Sequence, residues 1–341
     1  MTENAIQPII ALLADGKNLP QDTAVRAFQI IMNNGATPAQ MAAILMALRL
    51  KGETIEEITA GAIAMRAKAK RIKAPAGTID TCGTGGDSKG TYNISTAVAF
   101  VLAACGIPVA KHGNRSVSSQ SGSADVLMAL GVNINADVAV LERCLRECNI
   151  CFLMATQFHP AMRNIAPVRQ ELGIRTIFNL LGPLSNPATP DYQLLGVYDE
   201  RWVEPLAHAL KGLGTKAAWV VHGQDGLDEL SLSGPSMVSE LKETIVRSFT
   251  ISPEDAGLKA RPLESLKGQT PIHNASAMID ALSGMSGAYR DAILYNAAAG
   301  LVIACKADNI KVGVEMAAEA IDTGRAHHTL KKLVEISNER P

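Results

Sequence analysis

The chain has 341 residues, 47% apolar and only 4% aromatic, and its 32 Lys and Arg against 33 Asp and Glu leave a net charge of −1. That length allows two compact lobes, and the scarcity of aromatics suits helices over a parallel sheet rather than a β-sandwich. The charge balance excludes long-range attraction to nucleic acid or an anionic membrane, so any anionic ligand must be held by local groups. The opening MTENAIQPIIALLADGK lacks the basic region and cleavage pattern of a signal peptide. The most apolar stretch, residues 97–110, is broken by Gly106 and Pro108 and falls short of the roughly 20 residues of a bilayer span. A cytoplasmic protein is expected.

The first seventy residues carry helix signals and no strand pattern. Thr37-Pro38-Ala39-Gln40 is a capping box with proline at the first helical position, ahead of an apolar face of Met41, Ile44, Leu45 and Leu48. Thr54-Ile55-Glu56-Glu57 opens a further helix, predicted to run to about Arg71, and Gly35 and Gly52 stand where helices should stop. The texture changes at Lys73-Ala74-Pro75-Ala76-Gly77. Beyond it, strands are predicted over 78–81, 107–111, 150–155 and 217–222, and helices over 95–105, 124–131 and 136–147. Such alternation predicts a right-handed βαβ sheet with ligands at the carboxyl ends of its strands. Residues 160–173 read as helical, 178–187 as a hinge or lobe crossing, 241–285 as ambiguous and 287–337 as helices. Cys148 and Cys151 form a CxxC with no second pair or nearby histidine, and are expected to be inert core thiols. The expected fold is α/β, with a small, mainly N-terminal helical lobe and a larger α/β lobe around a mostly parallel central sheet. The boundaries are 1–72, with a contribution from about 160–185, and 73–341.

Three segments carry chemistry. Asp80-Thr-Cys-Gly83-Thr-Gly85-Gly86-Asp87-Ser-Lys-Gly90-Thr91-Tyr-Asn93-Ile-Ser95-Thr96 runs from a predicted strand into a predicted helix, where glycines and free helix N–H groups can cradle phosphate. It is not a P-loop, since Gly90 rather than a lysine stands directly before Thr91, nor a dinucleotide fingerprint, since Ser88 stands where a glycine is needed. Lys111-His112-Gly113-Asn114-Arg115-Ser116-Val117-Ser118-Ser119-Gln120-Ser121-Gly122-Ser123 follows another strand and supplies the other wall of a polyanion site. Asp228 and Glu229, in a loop after the strand at 217–222, offer the oxygen ligands that select Mg²⁺.

Taken in order, Gly83-Thr-Gly-Gly-Asp87, Asn93-Ile-Ser-Thr96, Lys111 to Ser119, His159-Pro160, Asn179-Leu-Leu-Gly-Pro183 and Leu227-Asp-Glu229 resemble the anthranilate phosphoribosyltransferases across roughly residues 5–335. The resemblance implies transfer of the 5-phosphoribosyl group from 5-phosphoribosyl 1-pyrophosphate to anthranilate, by a homodimer formed through the helical lobe. It implies donor contacts from Gly83, Gly86, Asp87, Thr91, Asn93, Ile94, Ser95, Thr96, Lys111, His112, Gly113, Asn114, Arg115, Ser116, Val117, Ser118, Ser119 and Ser123. Ser95, Asp228 and Glu229 would hold two Mg²⁺ ions. Gly83, Asn114 and Arg169 would contact anthranilate, with His112 and His159 lining its path. From the residues alone Arg163, Arg169 and Arg175 are equal candidates for a carboxylate, and no catalytic base is assigned. The alternatives are a pyrimidine nucleoside phosphorylase, which has no pyrophosphate to chelate with Asp228 and Glu229, and a non-catalytic nucleic-acid binder of the same fold, which should carry a basic face.

Overall fold

The computed structural model describes residues 6–115 and 121–339. Four helices come first: α1 (Gln7–Ala14), α2 (Gln21–Met32), α3 (Pro38–Lys51) and α4 (Ile55–Lys68). Both expected capping boxes form, Thr37 with Gln40 and Thr54 with Glu57, so the two helices begin where their side chains can satisfy free N–H groups. Gly52 ends α3, but α2 stops earlier than expected. Asn34, at φ +59°, takes the left-handed position one residue ahead of Gly35. The helix expected to reach Arg71 ends at Lys68, and Lys70 N–H turns away to the Phe158 carbonyl (2.9 Å).

The second part winds as β1 (Ile79–Gly83), α5 (Ile94–Ala104), β2 (Val109–Gly113), α6 (Ser123–Ala129), α7 (Val138–Cys148) and β3 (Ile150–Met154). After α8 (Ala155–Phe158), α9 (Ala166–Leu172) and α10 (Phe178–Leu184) come β4 (Tyr192–Gly196), α11 (Val203–Gly212) and β5 (Ala217–Gly223). The hairpin β6 (Ser236–Lys242) and β7 (Ile245–Ile251) follows, then α12 (Pro271–Leu282), α13 (Ala288–Ile303), α14 (Ile310–Asp322) and α15 (Arg325–Ser337). One seven-stranded sheet results, in the order β3-β2-β1-β4-β5-β6-β7. It is parallel from β3 to β5 and antiparallel beyond. The chain lays β2 and β3 on one side of β1 and then returns to place β4 on the other, so the strand order reverses between β1 and β4. That is where an open α/β sheet leaves a crevice.

Alternate strand residues face different cores, as the two-residue period requires. Ile79, Leu194, Trp219 and Val221 pack with α5 and α13, whereas Cys82, Leu195, Ala218 and Val220 join the core of α1–α4, α9, α10 and α11. The segment expected to be a hinge or lobe crossing, residues 178–187, contains the helix α10. Leu180, Leu181, Leu184, Ser185 and Asn186 are buried along it, because the crossing between layers is itself packed. Cys148 and Cys151 are buried as expected, while Cys305 is exposed. Among the described residues no helix is long and apolar enough to cross a membrane.

Candidate active site

The carboxyl ends of β1 and β4 meet at Gly83 and Gly196, paired in register. The turn after β5 folds back over both. A Cβ on Gly83 would lie 2.3 Å from Asp228 Oδ2, and one on Gly196 would lie 1.6 Å from the Asp228 carbonyl oxygen. Only glycine lets the backbone approach this closely, so the sheet seats Asp228 on its switch point. Gly85 N–H donates to Asp228 Oδ2 (3.0 Å), and Ser95 N–H in the first turn of α5 donates to Glu229 Oε1 (3.0 Å). The Ser95 amide, expected to be free for phosphate, is therefore engaged by the protein's own carboxylate. Lys111 on β2 is buried, its ammonium donating to the Thr81 carbonyl and to Ser95 Oγ.

Burial, followed by the charges of Asp87 and Glu229, pushes the Asp228 carboxyl well above the usual carboxylate range. Burial raises Glu229 to about 7 against the pull of Lys111. Burial lowers Lys111, opposed first by Asp80 and then by the other acids. Asp87, Asp228 and Glu229 outnumber the buried ammonium, a deficit of positive charge that a divalent cation corrects. The donors are all oxygen, the set that suits Mg²⁺, which takes one or two carboxylates and completes its shell with water and phosphate. Among the described residues no three Asp, Glu, His or Cys side chains form a complete metal cage. An ion shared with a phosphorylated substrate fits that arrangement.

The first loop reaches over the site through left-handed residues, Gly85 (φ +65°), Gly86 (φ +78°), Ser88 (φ +60°) and Gly90 (φ +63°). Thr91 bridges to Lys267 and Tyr92 N–H donates to the Leu266 carbonyl (2.9 Å), fastening the far end of the loop. Asn93 precedes α5 without capping it. Its amide donates to the Ser121 carbonyl (3.1 Å) and its oxygen accepts from Asn274 (3.1 Å). Ile94 is buried, so its side chain belongs to the core. Thr96 Oγ1 donates to Ser123 Oγ (3.0 Å), tying the first loop to the second. Gly113 lies so close to Phe152 that a Cβ would come within 2.8 Å of its ring. Asn114 and Arg115 are exposed, and the Arg115 guanidinium lies against Met128 Sδ (3.3 Å). Ser116, Val117, Ser118 and Ser119 fall outside the described residues.

His112, next on β2, faces the opposite side from Lys111. Its N–H donates to Asp80 Oδ1 (3.1 Å), and its ring lies 5.1 Å from that of His159. Burial lowers His112 to about 3 and His159 to about 4, so both imidazoles are neutral at pH 7. Each keeps a buried Nε2 with no hydrogen-bond partner among the described residues. Arg169, half-buried on α9 with its guanidinium 5.6 Å from the Phe178 ring centroid, is lowered by burial and forms no ion pair among the described residues. A guanidinium without an ion pair can bind a carboxylate bidentately, and unsatisfied imidazoles need polar partners.

Four residues make contacts that a reading of the sequence does not give. Gly196 ends a strand that the apolar pattern does not announce. Asp80 is a fully buried carboxylate beneath His112. Asn186 donates to both Asp80 Oδ2 and the Ala110 carbonyl (2.8 Å each). Arg175 reaches the Gly86 carbonyl. Asp80 opens the first chemistry-bearing segment, Arg175 is one of three arginine candidates for a carboxylate and Asn186 belongs to an Asn-Pro turn, but no spacing signals the partners they take.

Residues 7–69 match the helical bundle domain of a glycosyl transferase family, and residues 76–327 match that family's a/b domain. The anthranilate phosphoribosyltransferase of Rhodospirillum rubrum is 55% identical over 335 residues, covering 98% of this chain and 96% of that protein. That of Azospirillum brasilense is 57% identical over 334 residues, covering 98% and 93%. Among solved structures, the anthranilate phosphoribosyltransferase of Thermus thermophilus matches with a TM-score of 0.93 at 42% identity, covering 97% of this chain and 99% of that one. The Saccharomyces cerevisiae enzyme in complex with PRPP and Mg gives 0.89 at 26% identity over 97% of each chain. With that coverage at both domains and that geometry at the switch point, the chain belongs to the anthranilate phosphoribosyltransferase family.

Proposed function

We propose that the protein transfers the 5-phosphoribosyl group from 5-phosphoribosyl 1-pyrophosphate to the amine of anthranilate, a step of tryptophan biosynthesis. The products are N-(5-phosphoribosyl)anthranilate and pyrophosphate. The observation that carries this reading is Asp228 seated on Gly83 and Gly196, with Asp87, Glu229 and Lys111 around it. Asp228, Glu229 and Ser95 would hold Mg²⁺, two ions per chain, which when bound would neutralise the leaving pyrophosphate. Lys111 adds positive charge on the same side, and the loops at 83–96 and 111–123 present N–H and hydroxyl donors to the phosphates. On the other face of β2, Arg169 binds the anthranilate carboxylate and His112 and His159 line its ring, holding the weakly nucleophilic amine in reach of C1′. The C1′–O bond breaks, the C1′–N bond forms and the amine releases one proton. No side chain needs to remove that proton first, because it becomes acidic only as the new bond forms.

The division into a lobe of residues 1–72 with 160–185 and a lobe of 73–341, a homodimer through the helical lobe and a cytoplasmic location belong to the same reading. Leu50 on α3, 80% exposed, supports an interface there. The test is loss of anthranilate fluorescence on addition of donor and Mg²⁺, with thymidine and uracil plus phosphate as controls. Unchanged fluorescence, or phosphorolysis of the nucleoside instead, would overturn the assignment.

A further inference from the structure

The segment between α9 and α10 carries a second arginine, Arg175, that the reaction as described does not use. Its backbone is anchored, since Thr176 N–H donates to Asn179 Oδ1 (3.0 Å) and Thr176 and Ile177 are buried. Its side chain is exposed but held at two points. The guanidinium carbon lies 4.1 Å from the Tyr198 ring centroid, and Nη2 donates to the Gly86 carbonyl. Gly86 is left-handed, and a Cβ there would meet Arg175 Nε and Nη2 at 3.5 Å. The guanidinium therefore covers the glycine itself. Tyr198 is tied to the same loop at its root, its N–H donating to Thr84 Oγ1 (3.1 Å).

The direction of one carbonyl decides the direction of the next amide. A trans peptide is planar, so drawing the Gly86 oxygen toward Arg175 turns the Asp87 N–H the opposite way. Among the described residues that N–H has no acceptor. Gly85 N–H, two residues earlier, is already occupied by Asp228. Left-handed glycines resist no alternative turn, so without a second anchor this peptide could flip at little cost.

We propose that Arg175 is a positioning residue for the donor loop: stacked on Tyr198, it fixes the Gly86–Asp87 peptide with its N–H open to the phosphorylated substrate. The proposal rests on the reading of this loop as the donor site, so wild-type turnover of anthranilate with donor and Mg²⁺ is established first. Failure at that step would fall on the functional assignment, not on Arg175.

The test is steady-state kinetics on the full chain. Arg175→Ala should raise the donor KM about tenfold, the scale of one hydrogen bond to a charged group, with kcat and the anthranilate KM within about threefold. Tyr198→Leu, which removes the ring, should raise the donor KM in the same sense, and Tyr198→Phe, which keeps it, should leave that constant at its wild-type value. Because both side chains act through one peptide, the double variant Arg175→Ala with Tyr198→Leu should be no worse than Arg175→Ala alone. A donor KM unchanged in Arg175→Ala would overturn the proposal. So would multiplicative effects in the double variant, which would mean that the arginine contacts the donor directly. Parallel losses for both substrates with a lowered melting temperature would assign a purely structural role and overturn it as well. Should Arg175→Ala fail to fold, Arg175→Gln keeps a donor of shorter reach and is expected to show an intermediate rise in donor KM; no rise there counts against the proposal.

Discussion

Lys111 and His112 are neighbours on one strand and face sites of opposite character. On the Lys111 side, Asp228 and Glu229, with Asp87 beside them, have a single buried ammonium among them, so the pocket is short of positive charge. On the His112 side, two neutral imidazoles each keep a buried Nε2 with no hydrogen-bond partner among the described residues, leaving it short of a polar ligand. A strand's two-residue period lets adjacent residues serve two such environments without mixing them. Under the proposed function each half is incomplete in the way its ligand would complete it: a metal-bound diphosphate on one side, an aromatic carboxylate on the other.

The two sides depend most on the glycine seat of Asp228. Gly196→Ala would drive a methyl group into the Asp228 backbone, 1.6 Å from its carbonyl oxygen. Overpacking of that kind exceeds the usual cost of about 1–3 kcal/mol. We expect turnover below detection together with a lower melting temperature, measured by activity and thermal unfolding. Asp228→Asn with Glu229→Gln keeps the shapes and removes the charges. We expect turnover to fall roughly 10²- to 10³-fold, as several kcal/mol of charge stabilisation implies, with Mg²⁺ binding by calorimetry lost. Unchanged Mg²⁺ dependence would detach the acids from the metal.

Arg169→Ala tests the other face. Loss of a charged hydrogen-bonding partner should raise the anthranilate KM roughly 10- to 100-fold, with the donor KM nearly unchanged. Equal loss of both would mean that the two sides are not separate. The mildest effect is on stability against pH. His112 and His159 titrate at about 3 and about 4 in the folded protein, below the reference value of 6.5. As pH falls through about 6.5 the unfolded chain takes up protons that the folded one refuses, so folding weakens between there and about 4 to 3. Urea unfolding of His159→Gln should show a shallower acid loss than wild type. An identical slope would place the acid sensitivity elsewhere.

Legibility follows the range of the interactions. The capping boxes at Thr37 and Thr54, the strands β1, β2, β3 and β5 and the helix after Asn93 are readable within a few residues, because caps and apolar periods are local. β4 is hidden because Gln193, 1% exposed, interrupts its apolar run; the amide is satisfied by the Pro183 carbonyl (2.8 Å), a partner from a different element. The β6–β7 turn is ambiguous because Glu243 (φ +49°) and Thr244 (φ +68°) occupy left-handed positions that usually announce themselves as Asn-Gly. The Gly/Pro-rich stretch that suggests a hinge forms the packed helix α10, since burial outweighs local punctuation.

By itself the sequence determined which chemistry was on hand: glycine loops leaving strands, adjacent acids and a buried-strand lysine. Local backbone preference and side-chain type suffice for that. Only the tertiary structure decided that Asp228 sits on Gly83 and Gly196, that Lys111 and His112 serve opposite faces, and that Arg175 rather than a nearby arginine reaches the glycine loop after β1. Those outcomes depend on strand order and register, set by packing between residues far apart in the chain, and no spacing along it encodes them.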